Sequence, residues 1–416
     1  MPERFPYIES IKVKEVRHLK GFTIELKDTT HPTDGPVHLM LTGRNGVGKT
    51  SLLKASFDSL VALSKSFHSI SNYEQELKYW QDKLASANAA PISEVEEIKS
   101  SISFKKNKLT DLCGAVELTC FDADYLYSLL HISKDMLVAF YDALRTPLFT
   151  SPHAPNNPDV GFSGNLDSKL SRVFIEYLAH LKVQRSLFRD EGRHEQATAI
   201  DNWFKSLTAI LCRIFGDDEL TLHFEPSDYT FTIVSRGKKS PLSCLADGHA
   251  ALLDIVADLI LKMQKKGEPT ALFDRPGIVF IDEIETHLHL ELQRLVMPIL
   301  TSIFPKIQFI ITTHSPFVLS SIGNTVVYDL EKKQALDNAD EYSYNSLAEN
   351  FFRVSGQPGS VQRNYNRLRE LAELPHRTEA EETELRELLD ELNDILPEEN
   401  PQLYAAICQL TLIHHL

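Results

Sequence analysis

The octapeptide Gly43–Thr50 constrains the fold of this chain more than any other segment. It reads Gly-Arg-Asn-Gly-Val-Gly-Lys-Thr and fits the pattern G-x-x-x-x-G-K-[ST]. The apolar run Val37–Leu41 precedes it, and a helical pattern with leucines on one face follows from Ser51. Strand, glycine-rich loop and helix in this order predict a phosphate-binding loop, because the backbone N–H groups and the helix N-terminus face an anion.

The residue types in this loop predict how a nucleotide is held. Lys49 is expected to reach the β- and γ-phosphates, and the Thr50 hydroxyl is expected to bind Mg²⁺. ATP and Mg²⁺ are therefore the predicted cofactors. The predicted nucleotide contacts are Gly43, Arg44, Asn45, Gly46, Val47, Gly48, Lys49, Thr50 and Ser51.

A second apolar run, Gly277–Ile281, ends in the acid pair Asp282 and Glu283. At the end of a buried strand, Asp282 is placed to hold the Mg²⁺ shell and Glu283 to polarise the attacking water. The alternative is a helix cap followed by a solvated loop acid. The phosphate loop upstream favours the catalytic interpretation.

A third apolar run, Ile307–Thr313, is followed by His314 and then by Ser-Pro. An imidazole at a strand end beside a nucleotide can hydrogen-bond a γ-phosphate oxygen and respond to its presence. Taken alone, a histidine in this setting is more often a turn residue. Together with the two preceding motifs, it is predicted to contact the nucleotide.

Composition narrows the partners of the chain. The 416 residues are 43% hydrophobic, and no run of 18 apolar residues or secretory leader is evident, so no membrane partner is expected. Five cysteines without a C-x-x-C pair favour a reduced, cytoplasmic setting over a zinc site or a disulfide framework. The net charge of −15 indicates that any nucleic-acid contact is local or supplied by a partner.

Periodicity divides the chain into five predicted regions. Residues 1–61 hold an antiparallel lead-in and the phosphate loop, and 62–112 form a short coiled-coil hairpin that turns near Pro91. Residues 113–218 add a strand and a helical region, with an exposed loop at Pro147–Gly164. Residues 219–330 carry the acid pair and His314. Residues 331–416 are amphipathic and acidic helices, predicted to contact a partner or another copy.

These motifs jointly resemble the ABC-type ATPase head shared by RecF, SMC-type proteins and the overcoming-lysogenization-defect nucleases. The resemblance covers the first 60 or so residues and about 220–330. It implies an α/β P-loop ATPase head with an antiparallel N-terminal sheet, an inserted hairpin and C-terminal helices. It also implies hydrolysis of ATP between two copies of the chain.

In that family a Leu-Ser-x-Gly signature contacts the γ-phosphate bound by the opposite protomer. The matching residues here are Leu245, Ala246, Asp247 and Gly248, followed by a helix from His249. Ala246 replaces the serine, so one hydroxyl contact is lost, and Ser243 is a candidate stand-in. This departure bears on the rate of hydrolysis more than on dimer formation.

The segment Glu285–His289 follows the acid pair where the family has its D-loop, which crosses the dimer interface. The acids and histidines of this segment, with Glu283, could instead form a metal cluster, but the family position favours the D-loop. No glutamine can be assigned to the Q-loop, because Asp122-Ala123-Asp124 occupies roughly that place.

Within this superfamily the size, the short hairpin and the Thr-His-Ser-Pro switch most resemble PtuA, the ATPase family of Septu anti-phage defence systems. The resemblance implies a higher oligomer that controls a separate HNH-type nuclease, with nucleic acid bound through the complex. No nuclease site is expected on this chain. Two alternatives remain, a RecF-like repair ATPase that binds DNA directly and an ATP-sensing switch with low turnover.

Overall fold

We describe the protein from a computed structural model. The structure describes residues 5–26, 35–86, 95–96, 98–105, 114–120, 123–133, 135–145, 149, 170–245, 247–264, 275–336, 339, 359–374 and 378–393. The chain divides into two units, Met1–Ser343 and Tyr344–Leu416.

The elements alternate between strands and helices along most of the chain. The strands are β1 (Ile8–Val16), β2 (Leu19–Glu25), β3 (His38–Thr42), β4 (Val116–Cys120), β5 (Leu137–Tyr141), β6 (Thr221–Glu225), β7 (Thr230–Ser235), β8 (Lys238–Pro241), β9 (Gly277–Ile281), β10 (Ile307–Thr312), β11 (Thr325–Asp329) and β12 (Gln334–Leu336). The helices are α1 (Lys49–Ser86), α2 (Ala123–Tyr127), α3 (Phe174–Asp190), α4 (His194–Phe215), α5 (Asp247–Met263), α6 (Leu290–Ile303), α7 (Pro316–Leu319), α8 (Gly359–Glu373) and α9 (Glu379–Asn393).

The central element is a six-stranded sheet in the order β12-β11-β3-β10-β9-β5. Its strands pair in parallel except for β12, which joins β11 as a hairpin. Strands β3, β9 and β10 are buried at every position, which explains why their sequences are unbroken apolar runs. The carboxyl ends of the parallel strands lie at one edge of the sheet, where open α/β sheets bind ligands. We call this edge the nucleotide edge.

A smaller antiparallel sheet has the strand order β2-β1-β4. Its inward residues, such as Ile11 and Ile24, share one hydrophobic cluster with Leu52 of α1 and Phe280 of β9. The lead-in hairpin predicted from the sequence is confirmed. The sequence predicts its turn at residues 18–21, but the register pairs Val16 with Leu19, so the turn consists of Arg17 and His18.

Helix α1 begins in the phosphate loop and continues for 38 residues into the first arm of the predicted hairpin. No break separates residues 61 and 62. On the returning arm, Lys105 forms an ion pair with Glu76 and lies 5.1 Å from the centroid of the Tyr73 ring. The two arms therefore contact each other, and the turn predicted at Pro91 lies outside the described residues.

Helices α3 and α4 fill the region that the sequence predicts as helical up to residue 215. They are separated at Glu191 and Gly192, in the polar stretch of residues 190–192 that predicts a break between helices. The alternating apolar pattern of residues 220–224 and 229–234 predicts a hairpin, which β6 and β7 form and to which β8 adds a third strand. The loop predicted at Pro147–Gly164 falls outside the described residues except for Phe149.

The second unit contains α8 and α9, which contact each other. Leu371 of α8 and Leu385 of α9 are buried. An exposed ion pair links the helices, with Arg367 Nε and Nη2 each 2.9 Å from a carboxylate oxygen of Glu384. Across the described residues of both units, no helix is long and apolar enough to cross a membrane.

Candidate functional site

The phosphate loop joins β3 to α1 at the nucleotide edge. Gly43, Gly46 and Gly48 have φ values of 131°, 82° and 97°, which side chains disfavour, so the glycines are needed to shape the loop. The Lys49 ammonium is buried and donates hydrogen bonds to the carbonyl oxygens of Gly43 (2.9 Å) and Arg44 (3.1 Å). Lys49 thus occupies the space enclosed by its own loop.

Asp282, at the end of β9, is bonded by two threonine hydroxyls from neighbouring elements. Thr50 Oγ1 lies 3.1 Å from Asp282 Oδ1, and Thr312 Oγ1 lies 2.6 Å from the same atom. Adjacent oxygens in an octahedral Mg²⁺ shell with bonds of about 2.0–2.1 Å lie about 2.9 Å apart. The Thr50 and Asp282 oxygens therefore have the chemistry and spacing to share one Mg²⁺, with phosphate and water supplying the remaining ligands.

Glu283 begins a tight turn after β9. Its φ of 42° lies in the left-handed region, which costs a residue with a side chain roughly 1–3 kcal/mol. The turn is fixed by β10, because the Glu283 N–H donates to Thr312 Oγ1 (2.7 Å) and the Ile284 N–H to the Thr312 carbonyl (3.2 Å). Asp282 and Glu283 consequently project differently from consecutive positions, as a metal ligand and a base require.

His314 lies just beyond β10, and Glu285 fixes its main chain. A Glu285 carboxylate oxygen accepts the His314 N–H at 2.5 Å, and burial raises the pKa of Glu285. Burial also lowers the pKa of His314, with the nearby Lys49 charge acting in the same direction. The neutral imidazole is therefore favoured, so one ring nitrogen can donate a hydrogen bond to a phosphate oxygen.

The charges at the nucleotide edge are strongly unbalanced around Lys49. Burial lowers the pKa of its ammonium, while the carboxylates of Glu283, Glu285, Asp282 and Asp329 act to raise it. The guanidinium of Arg145 interacts with three of the same carboxylates, those of Glu285, Asp282 and Glu283. The carboxylates therefore outnumber the cations, an environment that a divalent cation would complement.

The signature segment meets the predicted D-loop on the same chain. A Cβ added at Gly248 would lie 3.1 Å from the His287 carbonyl oxygen and 3.4 Å from a His289 ring carbon, so glycine permits this close approach. Helix α5 begins at Asp247, whereas Ala246 lies outside the described residues. Among the described residues, no group of three or more histidine, cysteine, aspartate or glutamate side chains is arranged to hold a metal ion.

Two residues at this edge were not assigned from the sequence. Thr312 bridges Asp282 and the Glu283 N–H, and Arg145 donates to three main-chain oxygens of the turn after β9. The signal that could have located Arg145 is the short apolar run Leu137–Tyr141, which forms β5 beside β9. A run of five residues is easily overlooked next to the longer motifs.

The parallel sheet, the glycine-shaped loop and the Asp282 site together define a P-loop ATPase fold. Comparison with known families agrees, since residues 134–320 match the family described as "AAA domain, putative AbiEii toxin, Type IV TA system". A solved Smc head bound to the C-winged helix domain of ScpA aligns over 80% of this chain and 96% of that chain, with 12% identity and a TM-score of 0.36.

The chain is related to the Septu protein PtuA. It is 23% identical to PtuA of Bacillus mycoides (strain KBAB4) over 93% of this chain and 50% of that protein, and 24% identical to PtuA of Bacillus thuringiensis over 68% and 67%. A shorter segment is 34% identical to the Retron Ec83 probable ATPase of Escherichia coli, over 27% of this chain and 22% of that protein. The chain thus spans about half the length of the first of these relatives and a smaller part of the retron protein.

Proposed function

We propose that this chain binds and hydrolyses ATP with Mg²⁺ at the nucleotide edge of its large sheet. The observation that carries this proposal is that the hydroxyls of Thr50 and Thr312 both bind one carboxylate oxygen of Asp282, and that Thr312 also holds the N–H of Glu283. These groups come from three separate elements, and they supply a metal site and a base next to a phosphate loop.

Each residue has a defined task in this proposal. Lys49 leaves its own loop carbonyls to bind the β- and γ-phosphates, and Thr50 and Asp282 hold Mg²⁺. Glu283 orients the attacking water and accepts its proton. His314 donates a hydrogen bond to the γ-phosphate, where negative charge builds up during transfer.

A second copy of the chain completes the site. Gly248, at the start of α5, lies against the 287–289 segment of the same chain. In the proposed dimer, Ala246, Asp247 and Gly248 of one copy approach the phosphates held by the other. The backbone N–H groups at the start of α5 supply the anion contacts there.

The relation to Septu PtuA and to a retron ATPase supports a role in anti-phage defence. We propose that ATP binding by the assembled chain controls a separate HNH-type nuclease subunit and that the complex, not this chain alone, engages nucleic acid. The acidic helices of residues 331–416 are the proposed contact to that subunit or to another copy.

The substitution Glu283→Gln tests the catalytic assignment. It keeps the size and hydrogen-bonding ability of the side chain but removes the base, so phosphate release should slow roughly 10²- to 10⁴-fold. ATP binding should persist, and the ATP-bound dimer should accumulate in light-scattering measurements. The matched control is Glu291→Gln, an exposed acid in the first turn of α6, which should retain wild-type turnover.

Equal turnover in Glu283→Gln and wild type would remove Glu283 from the base role. Phosphate release that continues unchanged after Mg²⁺ is chelated would contradict the metal assignment of Thr50 and Asp282.

One feature favours a second candidate, an ATP-dependent switch with low turnover. Ala246 lacks the hydroxyl that the family signature contributes to the phosphate. Under this alternative, ATP closes the dimer but is hydrolysed slowly, and Ala246→Ser increases turnover without tightening ATP binding. A wild-type rate that Ala246→Ser leaves unchanged would argue against it.

A further inference from the structure

Arg145 is almost completely buried beside the nucleotide edge, with 3% of its surface exposed. It follows β5, the outermost parallel strand, and its guanidinium points at the turn after β9. Arg145 Nη1 donates to the Asp282 carbonyl (3.2 Å), and Nη2 donates to the carbonyls of Glu283 (2.7 Å) and Ile284 (3.2 Å). One side chain therefore binds three consecutive main-chain oxygens.

These contacts differ from those of an ordinary ion pair, because each of the three hydrogen bonds ends on a carbonyl oxygen. Burial lowers the pKa of Arg145, and the charges of Glu285, Asp254, Asp282 and Glu283 oppose that effect. An arginine keeps its charge at such a site, and among the described residues no carboxylate is bonded to its donors. A planar fork with fixed donor directions suits this task, whereas the single nitrogen of a lysine does not.

The turn that Arg145 binds is the one that orients Glu283. On the other side of this turn, Thr312 receives the N–H groups of Glu283 and Ile284. Thr312 therefore fixes the donors of the turn and Arg145 fixes its acceptors. With both in place, the left-handed conformation of Glu283 is determined from two directions.

Helix α5, which carries the signature segment, is connected to the same place. The Tyr141 hydroxyl at the end of β5 donates to Asp258 of α5 (2.6 Å), while the Tyr141 carbonyl accepts the Asp282 N–H (2.8 Å). Asp254 lies one helical turn before Asp258, close enough for its charge to raise the pKa of Arg145. Tyr141 thus contacts both the buried side of α5 and the catalytic turn.

We propose that Arg145 is a positioning residue for ATP hydrolysis, which holds the carbonyls of residues 282–284 and thereby aims the Glu283 carboxylate at the attacking water. The inference rests on the proposed function, in which Glu283 is the base. Arg145 touches neither phosphate nor water in this role, so its removal affects the geometry of the turn and not the affinity for nucleotide.

The test compares Arg145→Lys with Arg275→Lys in the full-length chain. Arg275 precedes β9 at the opposite end of that strand, where its Nη1 donates to the Met263 carbonyl (3.3 Å) and its Nη2 lies 3.6 Å from Asp135. The two changes are chemically identical and both affect a largely buried guanidinium. Only Arg145 borders the catalytic turn.

We expect Arg145→Lys to lower kcat roughly 10- to 100-fold, since small displacements of a catalytic group have effects of this size. KM and the Kd for ATP should stay within about threefold of wild type, the pattern of a group that acts only in the transition state. Arg275→Lys should keep both constants. If Arg145→Lys raises KM and lowers thermal stability without a selective loss of kcat, the proposal is overturned in favour of a structural role.

Hydrogen exchange provides a measurement that does not depend on turnover. In Arg145→Lys, peptides covering residues 282–286 should exchange faster than in wild type, while peptides from the middle of β9 should not. If the wild type has no ATPase activity but Arg145→Lys still exchanges faster at residues 282–286, the proposed function is refuted. The role of Arg145 in holding the turn is then still supported. An active wild type whose Arg145→Lys variant keeps its kcat and its slow exchange would refute the role of Arg145 alone.

A second variant keeps the test readable if the lysine substitution perturbs folding. Arg145→Ala leaves a space that millimolar guanidinium can enter, and this ion should restore part of kcat. Sodium chloride at the same ionic strength should not. Equal effects of the two salts would contradict the need for a guanidinium at this position.

Discussion

Arg145 and Arg367 present the same side chain in two different surroundings. Arg145 is buried at the nucleotide edge and binds three main-chain oxygens. Arg367 lies on the surface of the C-terminal helix pair and donates two hydrogen bonds of 2.9 Å to Glu384. These bonds raise the pKa of Arg367. By distance alone the two sets of bonds are similar, since those of Arg145 range from 2.7 to 3.2 Å.

The difference shows that burial, not bond length, decides what a polar contact contributes. An exposed ion pair exchanges hydration for an attraction that water and salt screen, so its net effect on stability is small. A buried donor has no water to replace a lost partner, so its contacts define one conformation. We therefore expect substitutions at the nucleotide edge to affect activity and stability strongly, and those in the exposed ion pair between α8 and α9 to affect neither.

Of the substitutions that test this comparison, Thr312→Val should produce the largest effect. It keeps the branched shape of the side chain but removes the hydroxyl that donates to Asp282 and accepts the Glu283 N–H. Turnover should fall roughly 10- to 100-fold because the acid pair loses its alignment. Stability should fall by about 1–3 kcal/mol because a buried N–H loses its acceptor.

The control for this prediction is Thr301→Val. The Thr301 hydroxyl bonds to Met297 and Pro298 carbonyls within its own helix, α6, so turnover should be unchanged. Phosphate release and denaturant unfolding measure both quantities. Equal losses in the two variants would mean that the hydroxyl of Thr312 has no special role.

Acid should destabilise the first unit through His38, on the strand that leads into the phosphate loop. Burial lowers the pKa of His38 from 6.5 to about 4, and its Nδ1 accepts the Phe309 N–H at 3.1 Å. The unfolded chain therefore binds a proton between pH 6.5 and about 4 that the folded chain excludes. Stability is full above pH 6.5 and should decrease by about 1.4 kcal/mol for each pH unit below it, down to about pH 4.

The variant His38→Asn isolates this contribution. Its amide oxygen can accept the same N–H, but the side chain does not titrate, so the unfolding free energy should depend less on pH across this window. Chemical denaturation at several pH values gives both slopes. Parallel curves for the variant and wild type would show that the acid sensitivity arises elsewhere.

Arg367→Ala should have the smallest effect. The ion pair with Glu384 is exposed on both sides, so its loss should leave the thermal midpoint, the helix content and the affinity for ATP unchanged within error. Because this pair contributes little, screening it with added salt should change the stability of the wild type only slightly. A clear loss of helix content in Arg367→Ala would show that this surface pair contributes more than its exposure suggests.

The parts of the fold that could be predicted from the sequence are those in which neighbouring residues carry the signal. The phosphate loop, the acids after β9 and the position of His314 each combine an apolar strand with polar residues directly after it, so a local pattern was sufficient. The hairpin formed by β1 and β2 was predicted for the same reason, although its turn was placed slightly late. The roles of these site residues stay predictions.

The contacts that organise the site could not be predicted in this way. Arg145 binds carbonyls 137–139 positions away along the chain, and Glu285 binds the His314 N–H across 29 positions. Such bonds depend on β5, β9 and β10 lying side by side, which no local pattern encodes. The acceptors of Arg145 are main-chain oxygens, which every residue has. The side chains of its partner residues therefore do not indicate the contact.

The continuity of α1 gives the inserted hairpin a mechanical meaning. The helix that starts at Lys49 extends without interruption to Ser86, a length of about 57 Å for 38 residues. One end of this helix lies in the phosphate loop and the other in the arm, so α1 can act as a lever. For a lever of this length, a tilt of about 5° at the phosphate loop displaces the far end by about 5 Å. A small tilt of α1 at the phosphate loop would therefore produce a movement of several ångströms at the arm.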